Sequence, residues 1–103
     1  MKRLFTTAFC AMALVIGAGN VSAQGLKDAY KNYFTIGVAV NPRNISTPEH
    51  IEIIKANFNS ITAENVMKPG EMHPREGVWN YEQADAVANF CRENGIKLRG
   101  HCL

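Results

Sequence analysis

Three short apolar runs, separated by two stretches of helical periodicity, limit what this chain can fold into. Residues 34–40 read Phe34-Thr35-Ile36-Gly37-Val38-Ala39-Val40 and stop at Asn41-Pro42. An apolar run of this length predicts a strand buried on both faces, as in a parallel sheet. Thr47-Pro48-Glu49 then opens a helix, with Thr47 as N-cap, Pro48 at the first helical position and an acid in the first turn. Ile51, Ile54 and Phe58 recur at helical spacing, while Glu52 and Lys55 fall outside. The next strand is expected within residues 59–65, with Ile61 and Ala63 on one face. Pro69-Gly70, Pro74 and Gly77 mark a loop over residues 67–78. Asn80 and Gln83 resemble a capping pair for a second helix, whose apolar face would be Ala84, Val87, Ala88 and Cys91, flanked by Phe90. Asn94-Gly95 stops that helix, with Gly95 in the left-handed position. Residues 96–103 form the third predicted strand, Ile96 and Leu98 on one side, and residues 27–33 predict a short lead-in helix or turn.

The order strand-helix-strand-helix-strand implies parallel strands with right-handed crossovers, hence an α/β fold. Two helices are too few to cover both faces of such a sheet. The 80 residues from Gln24 onward are a small share of an eightfold barrel, which typically takes about 250. The last residues fall within or at the tip of a buried strand, so the expectation is the N-terminal part of a larger protein.

Residues 1–23 carry a different signal. Lys2 and Arg3 precede a stretch, residues 4–18, that is apolar apart from Thr6 and Thr7, and Val21-Ser22-Ala23 supplies small residues at the cleavage spacing. That is the pattern of a secretory signal peptide cut before Gln24, and it predicts a secreted protein, periplasmic or extracellular. The apolar stretch is shorter than the ~20 residues that span a bilayer, so no membrane anchor is expected. Cys10 lies inside it as filler. The formal charge of +2 comes from Lys2 and Arg3, and the remainder balances nine basic against nine acidic residues. A neutral chain is a poor nucleic-acid binder, which needs a concentrated basic face. Export makes a disulfide possible for Cys91 and Cys102. Six strand residues at ~3.3 Å each would hold them about 20 Å apart, whereas a bridge needs Cα atoms within ~7 Å. Two free thiols are expected.

Ligands of parallel α/β folds bind at the carboxyl ends of the strands. The residues at those ends are Asn41, the group Glu64-Asn65-Val66-Met67-Lys68, and His101. Glu64, Asn65 and Lys68 offer a carboxylate acceptor, an amide that both donates and accepts, and a cation with three donors. This mixture suits a neutral, hydroxyl-rich ligand such as a sugar, whereas Glu64 would repel a phosphate. The bland alternative is a solvated loop with Glu64 and Lys68 as a surface ion pair, and His101 as an ordinary satisfied histidine. His50, His73 and His101 lack metal-ligand spacing, so neither a metal nor a cofactor is implied. No serine elbow or glycine-rich phosphate loop is present. Trp79 and Tyr81 flank Asn80 and are expected to pin the loop to the second helix.

Taken together, these residues resemble glycoside hydrolase family 10, the endo-β-1,4-xylanases. The resemblance covers residues 34–103. It is carried by Phe34-Thr35-Ile36-Gly37-Val38-Ala39 and by Phe58-Asn59-Ser60-Ile61-Thr62-Ala63-Glu64-Asn65-Val66-Met67-Lys68. Pro74, Gly77, Trp79-Asn80-Tyr81 and Ala84-Asp85 follow, then Glu93-Asn94-Gly95-Ile96-Lys97-Leu98-Arg99-Gly100-His101. The resemblance implies about three β/α units of a (β/α)₈ TIM barrel. It implies that Glu64, Asn65 and Lys68 bind xylan or a xylo-oligosaccharide on the non-reducing side of the cleaved bond, and that His101 lines the site. It also implies retaining hydrolysis by two glutamates on later strands, so no catalytic residue is expected in this chain and Glu64 is a binder. Cys102 stands where the family usually has threonine, and the family's following tryptophan-histidine falls beyond Leu103. The competing expectations are a non-catalytic carbohydrate-binding remnant and a barrel hydrolase acting on another β-glucan.

Overall fold

The computed structural model describes residues 23–102. The expected export signal, Cys10 included, lies outside the described residues apart from Ala23. In chain order the elements are α1 (Leu26–Ala29), β1 (Gly37–Val40), α2 (Pro48–Asn57), β2 (Ser60–Ala63), α3 (Pro69–Met72), α4 (Glu82–Glu93) and β3 (Lys97–Arg99). The three strands form one parallel sheet in the order β1-β2-β3.

Register is set at the amino-terminal edge by Asn59. Its main-chain N–H donates to the Ile36 carbonyl at 3.0 Å, and its side-chain Oδ1 accepts the Ile36 N–H at 2.8 Å. Its own carbonyl accepts the Lys97 N–H at 3.1 Å. One residue therefore fastens the entrances of all three strands, and Gly37↔Ser60↔Lys97 come level. This explains why β1 is shorter than the apolar run predicts. Residues before Ile36 belong to the lead-in turn, where the Phe34 N–H donates to the Tyr30 carbonyl at 3.1 Å and the two rings stack 5.1 Å apart.

Burial of β1 on both faces, expected from its apolar run, is not what the structure shows. Val40, Ile61 and Ala63 are buried on one face with Ile54 of α2 and Val87 and Cys91 of α4, and Val38 packs against the same cluster. On the opposite face Gly37, Ala39, Lys97 and Arg99 are exposed, and Ser60 and Thr62 half-buried. Both long helices lie on a single side, so the second face has no cover among the described residues. Ile96 joins the core as predicted. Leu98, level with Ile61, stays 39% exposed because β3 has only one neighbouring strand.

The helices follow the periodicity closely, but their caps do not follow the residue types. Pro48 occupies the first turn of α2 and Thr47 its N-cap, as predicted, yet the Thr47 hydroxyl donates backward to the Arg43 carbonyl at 2.8 Å. The capping pair proposed at Asn80 and Gln83 does not form. Tyr81 is the N-cap of α4, and Asn80 instead donates from its main-chain N–H to the Met72 carbonyl at 2.8 Å. Ala84, Val87 and Cys91 are buried as expected, and Gly95 ends the turn at φ +63°. The predicted loop over residues 67–78 contains α3, a single turn begun by Pro69, whose fixed φ suits a first helical position. At the other end, α1 docks on the end of α2: the Leu26 N–H donates to Asn57 Oδ1 at 3.2 Å. A Cβ on Gly25 would collide with the Ala56 carbonyl oxygen, so this approach requires glycine.

Cys91 is buried and Cys102 exposed, both as free thiols, and burial pushes the Cys91 thiol pKa up. No helix among the described residues is long and apolar enough to cross a membrane.

Two predictions test this scheme by urea unfolding. Asn59→Ala leaves the Ile36 N–H without an acceptor and should lose about 1–2 kcal/mol, while Asn59→Asp, which keeps the acceptor, should recover most of it. Ile61 has no exposed surface, so Ile61→Ala should cost about 2–5 kcal/mol through lost burial and a residual cavity. Parent-like stability in either alanine variant contradicts the corresponding assignment.

Candidate functional site

The level register brings the carboxyl ends of the three strands to one edge of the sheet. Asn41 follows β1, Glu64 follows β2, and His101 lies two residues beyond β3. The ladder extends one step past β2, because the Glu64 N–H donates to the Val40 carbonyl at 2.8 Å. The Glu64 backbone is thus anchored to β1 while its side chain is exposed. Side-chain contact completes the link: Asn41 Nδ2 donates to Glu64 Oε2 at 3.3 Å.

A turn forms directly after Glu64. The Lys68 N–H donates to the Asn65 carbonyl at 2.8 Å, and Val66 within the turn is buried in the core. Burying Val66 leaves Asn65 exposed and Lys68 half-buried at the rim. Lys68 Nζ donates to Asn65 Oδ1 at 2.9 Å. Because an ammonium only donates, this contact fixes the Asn65 amide with its NH₂ group free. Glu64 and Lys68 do not pair with each other, contrary to the bland expectation; each is bound to an asparagine instead. The rim therefore presents acceptor oxygens on Glu64, donors on the Asn65 amide and the remaining donors of Lys68. That set can bracket vicinal hydroxyls, each of which both donates and accepts.

His101 is exposed and stands apart from this group. It lines an open cleft of about 300 Å³ with Met67, Met72, Tyr81 and Ala88. Met67, the neighbour of Lys68, is among the residues lining this cleft. Trp79 and Tyr81 tie the loop to the second helix, as expected, and to α3 as well. Trp79 stacks on His73 at 3.9 Å and on Tyr81 at 5.8 Å, and the His73 ring nitrogen Nδ1 bonds the Val78 carbonyl at 2.8 Å. The aromatics thus fasten the loop to His73 at the end of α3 and to Tyr81 at the start of α4. Among the described residues no group of three His, Cys, Asp or Glu is placed to hold a metal ion.

Sequence reasoning missed Asn44 and His50. Asn44 Oδ1 accepts the Asn41 N–H at 2.9 Å, and its Nδ2 lies 3.3 Å from His50 Nδ1. The available signal was Asn41-Pro42-Arg43-Asn44, two asparagines spaced to close a turn through each other's side chains.

Comparison with known proteins adds the family. The model of Glycosyl hydrolase family 10 matches residues 25–103. An endo-1,4-beta-xylanase/feruloyl esterase of Xylanibacter ruminicola is 57% identical over 114 residues, covering 100% of this chain and 15% of that protein. A psychrophilic family 10 endo-beta-1,4-xylanase superimposes with a TM-score of 0.74 at 62% identity, covering 76% of this chain and 24% of that one. A structure solved in complex with xylotriose gives a TM-score of 0.72 at 38% identity, covering 75% of this chain and 23% of that one. The chain thus spans a quarter or less of the length of these relatives. The family match and the parallel β/α sheet agree: the chain belongs to glycosyl hydrolase family 10, and its three strands are a portion of that family's (β/α)₈ barrel.

Proposed function

We propose that this chain is the sugar-binding N-terminal segment of a secreted endo-1,4-β-xylanase. The observation that carries the reading is the rim built by Glu64, Asn65 and Lys68 at the carboxyl ends of parallel strands, within a stretch 57% identical to an endo-xylanase. Glu64 accepts from a sugar hydroxyl, while Asn65 and Lys68 donate to neighbouring oxygens. A neutral polysaccharide needs no net charge on its binder, in keeping with the balanced charge beyond residue 23. His101, two residues beyond β3 at the same edge of the sheet, completes the proposed binding set.

Hydrolysis with retention requires two carboxyl groups about 5–5.5 Å apart, one as nucleophile and one as acid/base. Among the described residues the partner of Glu64 Oε2 is the Asn41 amide, not a second carboxylate. In this reading both catalytic glutamates come from elsewhere in the barrel, and Glu64 holds the substrate in place. Such positioning acts through binding and orientation rather than bond making. Secretion rests on the signal pattern of residues 1–23.

The 103-residue chain should show no xylan hydrolysis above a blank in a reducing-sugar assay, and measurable turnover would refute the placement of the carboxylates. In the full-length protein carrying this segment, Glu64→Ala should raise KM for xylotriose about tenfold or more, the loss of one charged hydrogen bond, with little change in the unfolding midpoint. Unchanged kinetics would remove Glu64 from the binding rim. The same protein should cleave xylan in preference to cellulose; the reverse preference would support a different β-glucan as substrate.

A further inference from the structure

The turn after β1 holds Glu64 through hydrogen bonds whose polarity is forced. Asn41 uses four groups at once: its main-chain carbonyl accepts the Asn44 N–H at 3.0 Å, and three further bonds accompany it. Its main-chain N–H donates to Asn44 Oδ1 at 2.9 Å, its Oδ1 accepts the Asn44 N–H at 3.2 Å, and its Nδ2 donates to Glu64 Oε2 at 3.3 Å. A carboxylate only accepts and a main-chain N–H only donates, so the Asn41 amide has one satisfactory orientation. Asn44 is fixed in the same way. Its Oδ1 is taken by the Asn41 N–H, leaving Nδ2 to donate to His50 Nδ1 at 3.3 Å, which puts the imidazole proton on Nε2. His50 lies in the first turn of α2 and is half-buried beside Val38 and Val40. A chain of directed bonds therefore runs from a packed helix to an exposed carboxylate.

We propose that Asn41 is a positioning residue for Glu64, itself braced by Asn44 and His50, and that it presents the free oxygen of the Glu64 carboxylate to a sugar hydroxyl. The inference rests on the reading that Glu64 binds the sugar. An exposed glutamate on its own samples many rotamers and must be ordered each time substrate binds. A donor already seated on Oε2 removes part of that ordering before binding, which strengthens affinity without a new contact to the ligand. Asn41 is suited to this because the bonds that close the turn leave Nδ2 spare.

A purely structural role for Asn41, closing the turn with Asn44, makes a different prediction, and Asn41→Asp separates the two. The new side chain keeps an acceptor for the Asn44 N–H, so the turn persists. It also sets a second carboxylate against Glu64 in place of a donor, and like charges drive the two apart. In the full-length protein carrying this segment, Asn41→Asp should raise KM for xylotriose about tenfold, with a smaller change in kcat and an unfolding midpoint near the parent's. Asn41→Ser offers a hydroxyl to the Asn44 N–H but no donor that reaches Glu64, and adds no charge. It should raise KM about threefold, and it supplies the result should the aspartate variant not fold. Glu64→Ala is measured alongside. If it raises KM while both Asn41 variants bind xylotriose as the parent does, the positioning role is overturned and the sugar-binding role of Glu64 stands. If Glu64→Ala itself leaves KM unchanged, both are overturned.

Discussion

Asn59 is the residue on which the geometry of this segment depends. A parallel sheet has no hairpins to set its register, so another device must align strands that are distant in sequence. Here one asparagine, placed just before the central strand, binds Ile36 through both main chain and side chain and accepts from Lys97. Because the side-chain period of a strand is two residues, a slip of one would turn Ile61 and Ala63 away from the helices. The same slip would carry Glu64 out of reach of Asn41. Core and polar rim therefore share one alignment, fixed at the opposite end of the sheet from the rim itself.

The rim shows how exposed polar groups are aimed by packing they do not take part in. Val66 is buried, and that burial orients the turn bearing Asn65 and Lys68. The ladder bond to Val40 anchors Glu64. Neither charged group is neutralised by the other; each is oriented by an amide, which holds a side chain without consuming its charge. Pairing Glu64 directly with Lys68 would occupy the acceptor and donors that a polyhydroxylated ligand needs. The uncovered face of the sheet has the same origin as the chain's short span of its relatives. Gly37, Ala39, Lys97 and Arg99 occupy the face that the rest of a (β/α)₈ barrel encloses.

Much of this was legible in the amino-acid order. Ala84, Val87 and Cys91 fell on one helical face, Ile61 and Ala63 on one strand face, and Gly95 at a left-handed stop, because each depends on local periodicity or backbone freedom. The motif around Glu64 stood out as a candidate group because its residue types sit together in sequence, and its binding role came from the family resemblance. The misreadings share a different character. Thr47 and Asn80 are good cap formers, yet the Thr47 hydroxyl donates to the Arg43 carbonyl and the Asn80 amide to the Glu71 carbonyl, since short polar side chains take whichever backbone group lies nearest in the fold. The apolar run of residues 34–40 predicted burial on both faces, but here one face packs on helices and the other is the face that the remaining strands of a (β/α)₈ barrel enclose.

Order along the chain therefore settled the alternation of strands and helices and the parallel topology, both of which follow from short-range pattern. Tertiary structure alone decided which asparagine holds which charge. Asn41 and Glu64 are 23 positions apart, and their bond exists only because β1 and β2 are aligned. His50 reaches the same network because α2 folds back over β1, bringing an imidazole to an asparagine that the sequence places before the helix begins. Hydrogen bonds are short and directional, so distances of a fraction of an ångström decide them; periodicity constrains which face a residue occupies, and leaves those distances to the assembled fold.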